Sequence, residues 1–211
     1  MVSKARGAAV GLALTLVLAG CSSDGNGNGN GNGNGREGGG AGVGATPLNP
    51  SQLAQAIPSK LAAPKGWKGR QPRVLDGSEA QKQCQLAARF SCAGLTAMAN
   101  TQYSQTFDTD VKFELLAYDT VDNAKAGMKT LVADTREGTT ADTLKPLTIN
   151  AGADESDAYA KEKQTNAVLR VGTVVAFVIG TTLPQDHDLQ SFASMQVQRV
   201  TSAATGKNPD A

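Results

Sequence analysis

The sequence predicts an α+β domain, an antiparallel sheet of about four to five strands with helices packed on one face. Three observations support this class. Apolar residues fall at helical spacing as far as residue 103, and the pattern switches to alternation at Val111. From Leu144 several strand-like segments follow one another without a helix between them, which favours antiparallel pairing. The composition suits a buried core, since 40% of the 211 residues are apolar and 18% charged.

The same composition excludes some functions. The chain lacks the several apolar runs of about 20 residues that a polytopic membrane protein needs. A formal net charge of +1 builds no large positive field, so no nucleic-acid partner is expected.

The chain opens with Lys4 and Arg6, then an apolar run through Ala8, Val10, Leu12, Leu14, Leu16 and Val17, ending in Leu18-Ala19-Gly20-Cys21. Positive, apolar, small is the order of an export signal, and the run is too short to span a bilayer stably. The last four residues look like a lipobox, in which the Cys21 sulfur receives diacylglycerol before cleavage in front of it. Two acyl chains anchor firmly, at about 0.8 kcal/mol per buried CH₂. The alternative is an ordinary secreted protein with a Cys after an A-x-A-like site. Residues 1–20 therefore read as a lipoprotein signal peptide, and the expected location is the extracytoplasmic face of the cell membrane.

Residues 21–46 alternate Gly and Asn from Gly25 to Gly35 and add Gly38, Gly39 and Gly40. Asn-Gly signals a hairpin only between alternating apolar residues, which are missing, so the segment reads as a flexible tether reaching roughly 25–30 Å. Residues 47–203, about 160 in number, suit one domain, followed by a polar, disordered tail over 204–211. Of the 20 Lys and Arg, three precede Pro47; of the 19 Asp and Glu, two do. The domain and tail thus carry 17 of each sign.

Within the domain, residues 51–57 predict a short helix with Ser51 as a cap, and Pro58, Pro64 and Pro72 then break regular structure. Ser78 caps a helix from Glu79 through Leu86. A third helical stretch covers 92–103, with Leu95, Met98, Ala99 and Gln102 at helical spacing. Residues 111–118 alternate as a strand, and Asp119 or Thr120 caps a helix whose stripe is Val121, Ala124, Met128, Leu131 and Val132. Residues 144–149 form a short strand that Pro146 confines to an edge. Residues 158–163 form another, and 168–171 with 173–179 form a hairpin or one bulged strand at the sheet centre. Leu189, Phe192, Ala193 and Val200 mark a C-terminal helix starting near Asp186 or Asp188.

Candidate chemistry is sparse, with no catalytic residue, metal site or cofactor motif assigned. His187, the only histidine, stands between Asp186 and Asp188 without an accompanying HExxH, GxSxG, CxxC or P-loop pattern, and reads as a polar helix start. Asp154, Glu155 and Asp157 suit calcium or acid–base work in principle, but without EF-hand spacing they read as a solvated turn. Lys65, Lys68, Arg70 and Arg73, after Lys60, surround the only tryptophan, Trp67, with no acid before Asp76. They suit contact with anionic headgroups or a wall polymer; the alternative, which is favoured, is that Trp67 plugs the core while the cations face water.

With Cys21 committed to lipid, Cys84 and Cys92 remain, and export places them where disulfides form. Eight positions along a continuous helix span about 12 Å, whereas a disulfide needs roughly 4.4–6.8 Å between Cα atoms. The bond therefore requires a turn between them, expected near Phe90-Ser91, joining one helix end to the next. Two buried free thiols are the alternative.

The lipobox, the Cys84…Cys92-Ala93-Gly94-Leu95 segment, the Phe113-Glu114-Leu115-Leu116-Ala117-Tyr118-Asp119-Thr120…Ala124 strand and helix, and the late Val168-Leu169-Arg170-Val171-Gly172 together resemble actinobacterial lipoproteins with a PknH-like extracellular sensor domain, over about residues 50–203. The resemblance implies an α+β domain with a cleft for an extracellular ligand and no catalytic residues. The chain differs in having no kinase or transmembrane helix and cysteines for one bridge. The function expected is that of a non-enzymatic, lipid-anchored extracellular binding module for a small-molecule, lipid or cell-wall ligand. The alternative is a structural lipoprotein contacting another envelope protein or wall polymer, and an envelope hydrolase stands third.

Overall fold

Residues 115–118, 167–171 and 174–178 are apolar, apart from Arg170, on both sides of the pleat, and a strand of that kind is stable only where both sheet faces are covered. The computed structural model bears this out: helices pack on both faces, not on one as the sequence reading expected. It describes residues 46–137, 143–184 and 186–211, apart from the side chains of residues 186 and 187. The expected signal peptide, lipidation site Cys21 and tether fall outside the described residues.

The order is α1 (Pro50–Ala56), a 3₁₀ turn (Lys60–Ala62), β1 (Lys68–Gly69), β2 (Arg73–Asp76), α2 (Gly77–Ala87), β3 (Leu95–Ser104), β4 (Asp110–Tyr118), α3 (Val121–Arg136), β5 (Lys145–Pro146), β6 (Glu155–Lys161), β7 (Gln164–Val171), β8 (Val174–Thr181) and α4 (Asp186–Ala204). All pairings are antiparallel. The sheet runs β1-β3-β4-β8-β7-β6-β5, with β2 also on β3, so eight strands replace the expected four to five. Two of the additional strands, β1 and β2, are one edge line broken by Arg70-Gln71-Pro72, where Pro72 has no N–H to give to the ladder.

The largest departure is at residues 92–103, read as a helix but folded as β3. Ala97, Ala99 and Tyr103 point to one face and Met98 to the other. Neighbours on both sides, β4 and the β1–β2 edge, outweigh the helix propensity of the alanines. The remaining elements follow the sequence closely. Asn49, not Ser51, caps α1: Gln52 N donates to Asn49 Oδ1 at 2.9 Å and Asn49 N to Gln52 Oε1 at 3.0 Å, with Pro50 in the first turn. Asp76, not Ser78, precedes α2. The Thr120 hydroxyl caps α3 by accepting from Asn123 N. Gly172 turns the β7–β8 hairpin with φ +58°.

One face buries Val111, Phe113, Leu115, Ala117, Leu169 and Val178 against α1 and α4. The stripe of α4 is Leu189, Phe192, Ala193, Val197 and Val200, at i, i+3, i+4 spacing. Rings run through this core: Trp67 lies 5.1 Å from Phe192, which is 5.9 Å from Phe113, itself 5.2 Å from Tyr103, all edge-on. The second face buries Met98, Leu116, Tyr118, Val168, Val175 and Phe177 under α2 and α3. There α3 approaches so closely that a Cβ on Gly127 would collide with the Tyr118 ring.

Cys84 and Cys92 are disulfide-bonded with 5.9 Å between Cα atoms. The required turn exists, but it comes earlier than expected, at Ala88 in the left-handed region, and it joins α2 to a strand. The C-terminal tail, expected to be disordered, folds back on the domain. Asp210 takes Nη1 and Nη2 of the buried Arg199 at 2.6 and 2.9 Å. Arg199 also donates to the carbonyls of Gln55, Ala56 and Ile57, closing the C-terminal end of α1.

Candidate functional site

The second face changes character along its strands. Directly opposed residues share a face, so Met98, Leu116 and Val175 form one row across β3, β4 and β8. Asn100, Glu114 and Phe177 form the next, and Gln102, Lys112 and Ile179 the third. The first row is apolar and lies beneath helices. The third is polar except for Ile179 and lies beyond them. Where the cover ends, a groove of about 540 Å³ opens over Asn100, Gln102, Lys112, Glu114 and Ile179.

Two features of the sequence shape its walls. The Pro72 break brings Arg70 and Gln71 over the floor; Arg70 N donates to the Gln102 carbonyl and the Thr101 hydroxyl to the Arg70 carbonyl. On the other side, the turn after α2 projects Arg89, whose guanidinium stands 5.7 Å from the Phe177 ring centre. Its Nε donates to Asp134 at 3.1 Å, and its Nη1 is 3.9 Å from Glu114. Arg136 repeats the arrangement over Tyr159 at 5.3 Å, with two bonds to Asp157.

The electrostatics favour an anion. Arg89 is matched by two carboxylates, but Arg70, Lys112 and Arg73, which opposes Asn100 on the same face, make no ion pair among the described residues. Among the described residues the side-chain amides of Asn100 and Gln102 have no hydrogen-bond partner. Burial pushes the Glu114 carboxyl above the usual carboxylate range, with Arg89 partly opposing it. The groove therefore offers unpaired cations, free amides and an apolar strip at Ile179, an arrangement that can recognise a small polar anion.

The sequence candidates are dispersed. Trp67 is half-buried and packs against the core at Phe192. Lys65 and Lys68 lie beside the β3–β4 hairpin, whereas Arg70 and Arg73 belong to the groove side. The Asp154–Glu155–Asp157 cluster is taken up by arginines: Asp154 and Glu155 hold the buried Arg170 at 2.9 and 3.0 Å, and Asp157 holds Arg136. His187 is in the first turn of α4, with its side chain outside the described residues. The sequence reading missed Asn100, Gln102, Lys112, Glu114 and Arg89. For the four strand residues the signal was polar side chains at i and i+2 within otherwise buried strands; Arg89, in the turn after α2, carried none.

The fold is thus a two-faced antiparallel α+β sheet with a polar groove where the cover of one face stops. No family model matches this sequence, and no curated protein matches it. Among solved structures it is similar to the extracellular domain of PknH from Mycobacterium tuberculosis, with a TM-score of 0.52 and 15% identity, over 75% of this chain and 100% of that one. The expected resemblance is therefore shown at the level of fold.

Proposed function

We propose that this chain is a non-enzymatic, lipid-anchored, sensor-like binding module on the extracytoplasmic face of the cell membrane, holding a small polar anion in the sheet groove. The observation that carries the reading is the set of unpaired groups around one floor: Arg70, Lys112, Asn100 and Gln102. Such groups exchange water for a ligand at low cost, because no internal bond has to break. The Leu-Ala-Gly-Cys sequence supports the anchor, with Cys21 carrying the lipid, and the likeness to a domain titled extracellular supports the location. Native mass spectrometry of the lipoprotein isolated from the envelope of its own host tests the reading. A bound mass is expected, and Lys112→Glu should remove it. Wild type and variant both free of added mass would overturn the groove and favour the alternative of docking to an envelope protein or wall polymer.

A further inference from the structure

The end of the sheet at the β3–β4 hairpin carries a second surface. Phe107, in the hairpin turn, is wholly exposed, and Leu61, in the 3₁₀ turn beside β1, is 91% exposed. They are two of the three exposed large apolar side chains among the described residues. Lysines lie along the same edge. Lys68 opposes Ser104 at the base of the hairpin, and the backbone of Lys60 is against Gly69. Lys65 precedes Gly66, which faces Gln105. Among the described residues none of Lys60, Lys65 and Lys68 makes an ion pair, and Asp108 is the one acid in the turn itself. An edge lysine alone guards against strand addition. That duty does not require a phenylalanine standing in water at the adjoining tip.

We infer that this edge is a membrane-contact surface: Phe107 enters the headgroup–acyl boundary while Lys60, Lys65 and Lys68 meet anionic phospholipid headgroups. Charge complementarity selects an anionic bilayer as the occupant, since an aromatic tip beside basic side chains is the composition of interfacial anchors. The inference rests on the lipid-anchor reading for its physiological setting. A tether of about 25 residues would keep the domain at high effective concentration near the bilayer, so a contact weak in free solution would still be occupied.

The test uses the chain without its acyl groups (Cys21→Ser), so failure of the anchor and failure of the surface are separable. Co-sedimentation is measured with vesicles of phosphatidylcholine containing phosphatidylglycerol, and with phosphatidylcholine alone. Binding is expected only to the anionic vesicles and should fall as salt rises. Lys65→Gln and Lys68→Gln should each weaken it about fivefold. Phe107→Ser should weaken it without changing the melting temperature, and Leu86→Ser, exposed on α2, should leave it unchanged. Phe107→Trp should retain binding and show a blue shift in emission on anionic vesicles. No binding at low salt would overturn the inference and leave the edge to a protein partner. Equal losses in the Phe107 and Leu86 variants would overturn it as well.

Discussion

Replacing Asp210 with Ala removes the counter-ion of an arginine that is only 6% exposed. Two charge-assisted hydrogen bonds are lost, each nominally about 1.5–3 kcal/mol. The Asp210 side chain is 34% exposed, so solvent screens part of that value, and Arg199 keeps three carbonyl acceptors. The expected loss is about 2 kcal/mol, or roughly 4–8 °C in melting temperature for a domain of this size. Arg199→Met should cost more, about 3–5 kcal/mol, because the C-terminal carbonyls of α1 lose their donor too. Urea denaturation at fixed pH measures both through the midpoint, with an unchanged slope showing that the unfolded state is unaltered. The pH dependence supplies a second check. Hydrogen bonding to Arg199 holds the Asp210 carboxyl below the usual range, outweighing the opposing effect of burial, and the Arg199 charge adds to the lowering. A lowered folded-state value means the stabilisation is complete above the ordinary carboxylate value and lost as pH falls through the lowered one. The wild-type advantage over Asp210→Ala should therefore vanish in acid. A variant within about 0.5 kcal/mol of wild type at neutral pH, or a deficit that persists in acid, would refute the tail contact.

Three further outcomes are expected. Cys84→Ser with Cys92→Ser should lower stability by about 2.5 kcal/mol, from the loop-closure entropy of so short a loop, and denatured wild type should label with alkylating reagent at neither position until reduced. Glu114→Gln should abolish a specific pH effect. The raised Glu114 value means the folded state binds its proton more tightly, so wild type gains stability relative to the variant as pH falls from the raised value towards the ordinary one; parallel melting curves from pH 7 to pH 4 would contradict it. Cys21→Ala should release the protein from salt-washed membranes, and complete retention in the membrane fraction would contradict the lipobox.

Much of the fold was legible because the apolar pattern and the layers agree. The alternation over 111–118 became β4, and the stripe from Ala124 to Leu131 became the buried side of α3. The apolar segments around Gly172 became the central hairpin. The failure at β3 arose because Leu95, Met98, Ala99 and Gln102 satisfy a helical period by chance, while the deciding forces, neighbours on both edges, are remote in sequence. The count of strands failed because β3 was read as a helix and because β1 and β2, two and four residues long, are too short for a period to register, whereas the edge strand expected over 144–149 is present as β5. The groove was illegible for a related reason. Its floor depends on register, which places Asn100 beside Glu114 and Gln102 beside Lys112, and its walls depend on Pro72 breaking an edge that had not been recognised. The disulfide was legible because elimination left one pairing, and covalent geometry demanded the turn found at Ala88.

The groove itself is tested most directly by amide and side-chain NMR of the ¹⁵N-labelled protein, titrated with a small-molecule extract of its own host's envelope. Binding in the groove predicts saturable shifts confined to Arg70, Asn100, Gln102, Lys112 and Glu114, including the side-chain amides of Asn100 and Gln102, and lost in Lys112→Glu. Shifts centred on the α1–α4 face, or none across the groove at any concentration, would contradict it.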